Sequence, residues 1–279
     1  MSYPTFSEIS TGLTWMDHQE ALNLLYQHEV LNHKLIWACA RNHDLEAYAL
    51  PDRQGCLLWD PRHQHMRVSV LGEHAQFPAS FLQEAALLEG PECAMQKIVE
   101  AHPNENSSSR TSLIYTLENQ DLQMDREFRR LRPDDVEVVN WLIQFNAETR
   151  GRTLTRAEVL KMLYASYREF YILEHRQKCA AVAAVNRWTL HYQSVSFVYV
   201  PPESRGKGFG RRLMASLSAF ILQERKKNAL LFADPDNAVA NVLYQSLGYQ
   251  VAGKHVSVLA GGQGQDAERR GPSAEHQLL

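Results

Sequence analysis

Residues 198–211, VYVPPESRGKGFGR, hold three glycines within five positions: Gly206, Gly208 and Gly210. They lie between an apolar run ending at Val200 and an amphipathic run starting at Phe209, so the stretch reads as a tight strand-to-helix turn. Glycine at these positions removes the Cβ atoms that would keep an anion away from the backbone. A helix starting at Phe209 offers unpaired N–H groups and the positive end of its dipole at the same place, a seat suited to a pyrophosphate. Arg205, Lys207, Arg211 and Arg212 add local positive charge to a chain whose formal net charge is −3. Two familiar phosphate turns are disfavoured by spacing. No Ser or Thr follows a Gly-Lys pair to hold magnesium, and position 213 is Leu where G-x-G-x-x-G requires glycine.

The elements around this turn can be read in order. Arg132-Pro133-Asp134-Asp135 is a helix start, with acids where the dipole favours them, and the helix runs to about Glu148 with Val136, Val139 and Ile143 on one stripe. Thr155-x-x-Glu158 is a capping-box pattern, followed by Val159, Leu160, Leu163 and Tyr167. Strands are expected over 170–174, 180–188 and 195–200, then a helix over 209–226, a buried strand over 229–233 and a helix over 238–247. Gly248 is the natural stop for that last helix, and residues 249–259 return to strand.

The first third is also mixed. Residues 16–31 have helical spacing, and 35–40, 55–59, 66–71 and 112–117 read as strands. Residues 78–102 read as a helix and 104–110 as a polar turn. His63 and His65 form an H-x-H pair without a third ligand at suitable spacing, so a solvated hairpin is expected there rather than a metal site.

Composition narrows the function classes. A pI near 6.5 gives no basic field for nucleic acid or an anionic membrane. The longest aliphatic stretches fall far short of the roughly 20 residues a bilayer span needs. The N-terminus lacks the basic and apolar regions of a secretory signal. Cysteines 39, 56, 93 and 179 show no C-x-x-C pair. The expectation is a reduced, cytoplasmic protein without metal, nucleic-acid or membrane partners. Its oligomeric state is not legible.

Arg205-x-x-Gly208-x-Gly210 resembles the R/Q-x-x-G-x-G/A signature of the GNAT acetyltransferase superfamily. Asp236-Asn237-Ala238-Val239-Ala240-Asn241-Val242-Leu243-Tyr244-Gln245-Ser246-Leu247-Gly248-Tyr249 resembles that family's second motif, N-x-x-A-x-x-x-Y-x-x-x-G-[FY]. The resemblance covers about residues 128–259. It implies an α/β (α+β) fold with a mixed, largely antiparallel twisted sheet flanked by helices. Three regions are expected: an N-terminal α/β domain over 1–125 that looks like a degenerate copy of the fold, a catalytic domain over 126–260, and a disordered tail over 261–279.

The resemblance also implies roles. Acetyl-CoA would be the acyl donor, its pantetheine arm pairing with the backbone of Val198, Tyr199 and Val200. The Arg205 turn, through Gly206, Lys207, Gly208, Phe209, Gly210 and Arg211, would hold the pyrophosphate. Asn237 would hydrogen-bond the donor near its amide or thioester end, and Tyr244 would be the general acid that protonates the departing thiolate. Members that acetylate ribosomal-protein N-termini carry Glu five residues before the motif Asn, where this chain has Phe232. Glu148, Glu174, His191 and Asp234 are the alternative bases, with Glu148 placed first, and deprotonation through ordered water stays open beside them. Cys179 is expected to be a small core residue, since direct transfer needs no thiol nucleophile. Trp141, Phe145, Trp188 and Tyr192 come from elements that wall the acceptor side. A small primary amine or amino-acid-like metabolite is the expected acceptor. A peptide or protein amine, and a non-catalytic acyl-CoA sensor, stay open.

Overall fold

Apolar runs bounded by turn residues form strands, and runs with helical spacing form helices, in a computed structural model that describes residues 13–72, 85–101, 108–164 and 169–259. The first half contains β1 (Thr14–Met16), α1 (His18–Leu25), α2 (His33–Arg41), β2 (Glu46–Ala49), β3 (Cys56–Asp60), β4 (His65–Val68), β5 (Leu87–Pro91), α3 (Glu92–Ala101) and β6 (Ser108–Leu117). The second contains β7 (Phe128–Arg130), α4 (Glu137–Arg150), α5 (Arg156–Leu163), β8 (Glu169–His175), β9 (Lys178–Trp188), β10 (Tyr192–Tyr199), α6 (Phe209–Gln223), β11 (Asn228–Ala233), α7 (Ala238–Ser246) and β12 (Gln250–Leu259). The described residues of 13–113 and 252–259 form one compact unit, and those of 114–251 form another.

In the first unit the strand order is β1-β2-β3-β4-β5-β12, antiparallel except for the parallel pair β4 and β5. Side chains alternate across the pleat, so both faces can be covered. Ala47, Ala49, Cys56 and Leu58 face Leu25 of α1 and Leu35 and Ile36 of α2. Tyr48, Leu57, Trp59 and Met66 cluster with Met95 and Ile98 of α3.

Four expectations need correcting in this unit. Residues 35–40, read as a strand, lie in helix α2, where Leu35 through Cys39 are all buried. A short, wholly apolar run has no period to distinguish a buried helix from a strand. Among the described residues of the helix expected over 78–102, only Glu92–Ala101, α3, are helical. Residues 87–91 form β5 because Gly90-Pro91 interrupts the helical pattern, and a Cβ at Gly90 would stand 2.5 Å from the Val68 carbonyl oxygen. His65 is buried rather than solvated, with Nε2 3.0 Å from Glu89 Oε1. Arg67 Nη2 lies 2.9 Å from His65 Nδ1. An arginine only donates, so Nδ1 accepts and the imidazole proton sits on Nε2. The turn expected over 104–110 gives way to β6 at Ser108. Residues 104–107, residues 78–84 and 102 of the expected helix, Tyr167 and the 261–279 tail lie outside the described residues.

In the second unit the order is β6-β11-β10-β9-β8-β7, with β10 and β11 parallel and β10-β9-β8-β7 antiparallel. Val138 and Leu142 of α4 and Val159 and Met162 of α5 pack with Ile172, Val182, Ala184 and Phe197 of the sheet. Leu213, Met214, Leu217 and Ile221 form the buried stripe of α6. Val136, expected on the α4 stripe, is exposed, and Val138 takes its place two residues on. The capping box forms as read, with Thr155 Oγ1 accepting from Glu158 N and the Glu158 carboxylate accepting from Thr155 N. This is a mixed, largely antiparallel sheet flanked by helices, as the motifs implied. Among the described residues no helix is long and apolar enough to cross a membrane, and no group of three His, Cys, Asp or Glu is placed to hold a metal ion.

Candidate active site

The site begins where two parallel strands part. β10 pairs with β11 from Tyr192–Asn228 to Val195–Leu231, and the pairing stops there. The register between β10 and β9 shifts between Ser196 and Tyr199, and Phe197 adopts φ 54°. A left-handed Phe costs on the order of 1–3 kcal/mol. Packing offsets it, since the ring lies 5.4 Å from Phe145 and 5.8 Å from Phe170. Beyond that register β10 and β11 run on to Tyr199 and Ala233 without pairing to each other, and such a parting at the carboxyl ends of parallel strands is where ligands of α/β sheets bind.

The glycine turn follows the end of β10 directly. Gly206 has φ 73° and Gly208 has φ 77°, and a Cβ at either would meet nothing within 4 Å. These glycines therefore permit the left-handed backbone and leave open space in front of it. Gly208 caps α6, whose first turn closes at Arg212 N to Gly208 O, 3.1 Å. The N–H groups of Phe209, Gly210 and Arg211 precede that closure and have no helical acceptor. Gly210 has a packing role: a Cβ there would lie 3.3 Å from both Leu243 Cδ1 and Val200 Cγ2. The end of β10, the start of α6 and helix α7 thus meet at one position.

The basic side chains divide differently from the sequence reading. Arg212 is committed to Asp125 and Glu127, at 2.8 and 2.7 Å. Lys207 Nζ donates to the Glu203 carbonyl at 2.7 Å. Arg205 donates from Nε to the Val200 carbonyl at 2.9 Å and from Nη2 to Glu148 Oε2 at 2.7 Å. Arg211 is exposed, while Phe209 is buried against His175, so only its backbone faces the turn.

On the connection from β11 to α7, Asn237 caps α7, its Oδ1 accepting from Ala240 N at 3.1 Å. Tyr244 is buried, with ring centroids of Tyr115 and Tyr249 at 5.9 and 6.0 Å. Burial, with a smaller contribution from Tyr115, pushes its hydroxyl up to about 12. Glu148, near the end of α4, accepts from the Tyr199 hydroxyl at 2.9 Å through Oε1. Tyr199 also reaches Gln144 Oε1 at 3.2 Å, and burial followed by the Glu148 hydrogen bond pushes its phenol up to about 12.

Of the other candidates, Glu174 is paired with Arg129, and Cys179 is half-buried with its thiol donating to Asp135. Phe145 packs on Phe197 and Tyr199. Trp141 is buried, Trp188 is partly exposed, and the Tyr192 hydroxyl donates to Glu118. Sequence reasoning missed the Tyr199 hydroxyl and Gln144. Gln144 and Glu148 are four residues apart on one helix, so their shared face was available as a signal. The bulge at Phe197 had none.

Residues 166–251 match the family model described as an acetyltransferase (GNAT) domain. A mycothiol acetyltransferase from Kocuria rhizophila is 42% identical over 53 residues, which are 19% of this chain and 18% of that protein, so less than a fifth of its length is matched. The structure is similar to a GCN5-related N-acetyltransferase from Sphaerobacter thermophilus, with a TM-score of 0.56 at 10% identity over 88% of this chain and 94% of that one. It is also similar to a tandem GNAT protein from the clavulanic acid biosynthesis pathway, with a TM-score of 0.54 at 13% identity over 89% and 98% of the two chains. Residues 166–251 therefore carry a GNAT acetyltransferase domain match, and the GNAT fold extends over most of the chain.

Proposed function

We propose that the chain is an acyltransferase moving the acetyl group of acetyl-CoA to the primary amine of a small molecule or amino-acid-like metabolite, by direct attack in a ternary complex. One observation carries this reading. The opened edge of β10, the glycine turn and α7 converge at Gly210, giving an extended backbone edge that ends in an anion seat. A long donor with a pyrophosphate and an amide-bearing arm fits that combination. The name of the Kocuria relative, an acetyltransferase, supports the acyl group chosen.

Acetyl-CoA supplies an activated thioester carbonyl, which the acceptor nitrogen attacks as the C–S bond breaks and its electron pair goes to sulfur. Backbone groups of Val198, Tyr199 and Val200 hold the pantetheine arm. Amides from Gly206 through Arg211 hold the pyrophosphate. Asn237, its oxygen used by the helix cap, offers its amide N–H to the donor. Tyr244 gives its proton to the departing sulfur, and its raised pKa keeps that proton in place at neutral pH. Glu148 takes the proton the amine releases. Aligning two substrates on one rigid sheet supplies much of the rate.

We read the first unit as an altered second copy of the fold, which would make the chain a tandem protein. The order β1-β2-β3-β4-β5-β12 parallels β7-β8-β9-β10-β11-β6, with the parallel pair in the same place. Gly90 lies against the Val68 carbonyl where the second unit opens, so the chemistry is assigned to the second unit. The test is a panel of primary amines incubated with protein and acetyl-CoA, read by thiol release. Turnover with small amines supports the proposal. Thiol release indifferent to every amine, with acetyl-CoA bound, turns the reading toward a sensor.

A further inference from the structure

We propose that Arg205 is a switch that couples donor binding to acceptor binding: it pairs with Glu148 before the donor arrives, moves to the donor's pyrophosphate, and so opens Glu148 to the acceptor's ammonium group. The inference rests on the acetyl-CoA reading above. Arg205 and Glu148 join two parts of the site that serve different substrates, the glycine turn and the end of α4. Their side chains are 48% and 44% exposed, with Nη2 2.7 Å from Oε2. An ion pair this exposed is held weakly, because water and salt screen it. A pyrophosphate carries more charge and presents oxygens that match the guanidinium fork, so it outcompetes one carboxylate.

The remaining contacts make the exchange productive. Glu148 Oε1 keeps its hydrogen bond from the Tyr199 hydroxyl, whose one proton favours that carboxylate at 2.9 Å over the neutral Gln144 Oε1 at 3.2 Å. The carboxylate therefore stays in position when Arg205 leaves, with Oε2 exposed on one side. While Arg205 is in place, a cationic acceptor meets both an occupied oxygen and a like charge. Arg205 stands over the Tyr199 ring at 5.5 Å, so its departure also uncovers an aromatic face. The consequence is that Oε2 becomes available to the acceptor only once the donor has drawn Arg205 away. Arg205 is a positioning residue in this scheme, acting through Glu148.

The experiment compares wild type with Glu148→Gln by calorimetric titration of acetyl-CoA and of S-acetylpantetheine, which lacks the pyrophosphate. Glutamine keeps the shape and the Tyr199 hydrogen bond but releases the Arg205 charge. Acetyl-CoA is expected to bind the variant about two- to fivefold more tightly, the range of an exposed ion pair, with a smaller gain for S-acetylpantetheine. Equal acetyl-CoA affinity in both proteins overturns the switch alone, as does an equal gain for both ligands. A folded wild type that binds neither ligand overturns the acetyl-CoA reading and the switch with it.

Discussion

Replacing Tyr244 by Phe isolates the proposed proton donor. The ring and its packing against Tyr115 and Tyr249 are retained, and only the hydroxyl is lost. Burial raises that hydroxyl from 10.0 to about 12. That rise corresponds to about 3 kcal/mol in favour of the protonated form, so the group carries its proton throughout the working range. Removing a positioned general acid lowers kcat by about 10²- to 10⁴-fold, while acetyl-CoA affinity stays within about twofold because other groups hold the donor. Stability at neutral pH changes by no more than about 1 kcal/mol. A second readout uses the same pKa. The folded state holds the proton more tightly than the unfolded state, so this contribution is fully present below pH 10 and is lost as pH rises through about 12. The variant lacks that loss, and its stability falls less between these pH values. Steady-state thiol release, donor titration and denaturant melts at both ends of the window measure the three effects. An undiminished kcat refutes the acid role, and an unchanged alkaline slope refutes the reasoning from burial.

Gly210→Val adds two methyl groups where a Cβ alone would sit 3.3 Å from Leu243 and Val200. It should destabilise by about 1–3 kcal/mol in a urea melt and weaken acetyl-CoA binding in the same protein. Thr155→Ala removes the capping box of α5 and should cost about 1 kcal/mol, leaving donor affinity unchanged. Hydrogen bonds from Arg129 hold the Asp135 carboxyl below its usual 3.8, and Arg212 does the same for Asp125. Their stabilisation is present above about pH 4 and is lost as pH falls through the lowered values. Asp135→Asn should therefore flatten the acid limb of a stability–pH profile.

Legibility followed the range of the interactions. The glycine turn, the Thr155 capping box and the Gly248 stop are local, set by residues within a few positions, and each formed where the residues place it. Residues 35–40 were misread because tertiary burial decides between helix and strand when every side chain is apolar. β5 was lost in an apparent helix because Leu88 and Met95 fit a helical spacing that Gly90 breaks. Pairing of β12 with β5 joins residues more than 160 positions apart, which no local pattern records. At the site, residue types were readable but their partners were not. Arg205 reads as an anion ligand, whereas its Glu148 bond depends on α4 lying beside the turn. The left-handed Phe197 depends on the aromatic cluster around it.

Calorimetric titration of acetyl-CoA and CoA into wild type and Gly208→Glu tests the central claim most directly. Position 208 is open and left-handed, so glutamate adds charge in front of the turn at a cost of about 1–2 kcal/mol in backbone strain. A thermal melt confirms that the variant is folded. The account predicts saturable binding of both ligands by wild type and at least about tenfold loss in the variant, since the added carboxylate opposes the pyrophosphate. Undiminished binding by the folded variant would contradict the placement of the donor at the glycine turn, and absence of binding by wild type would contradict the proposed function itself.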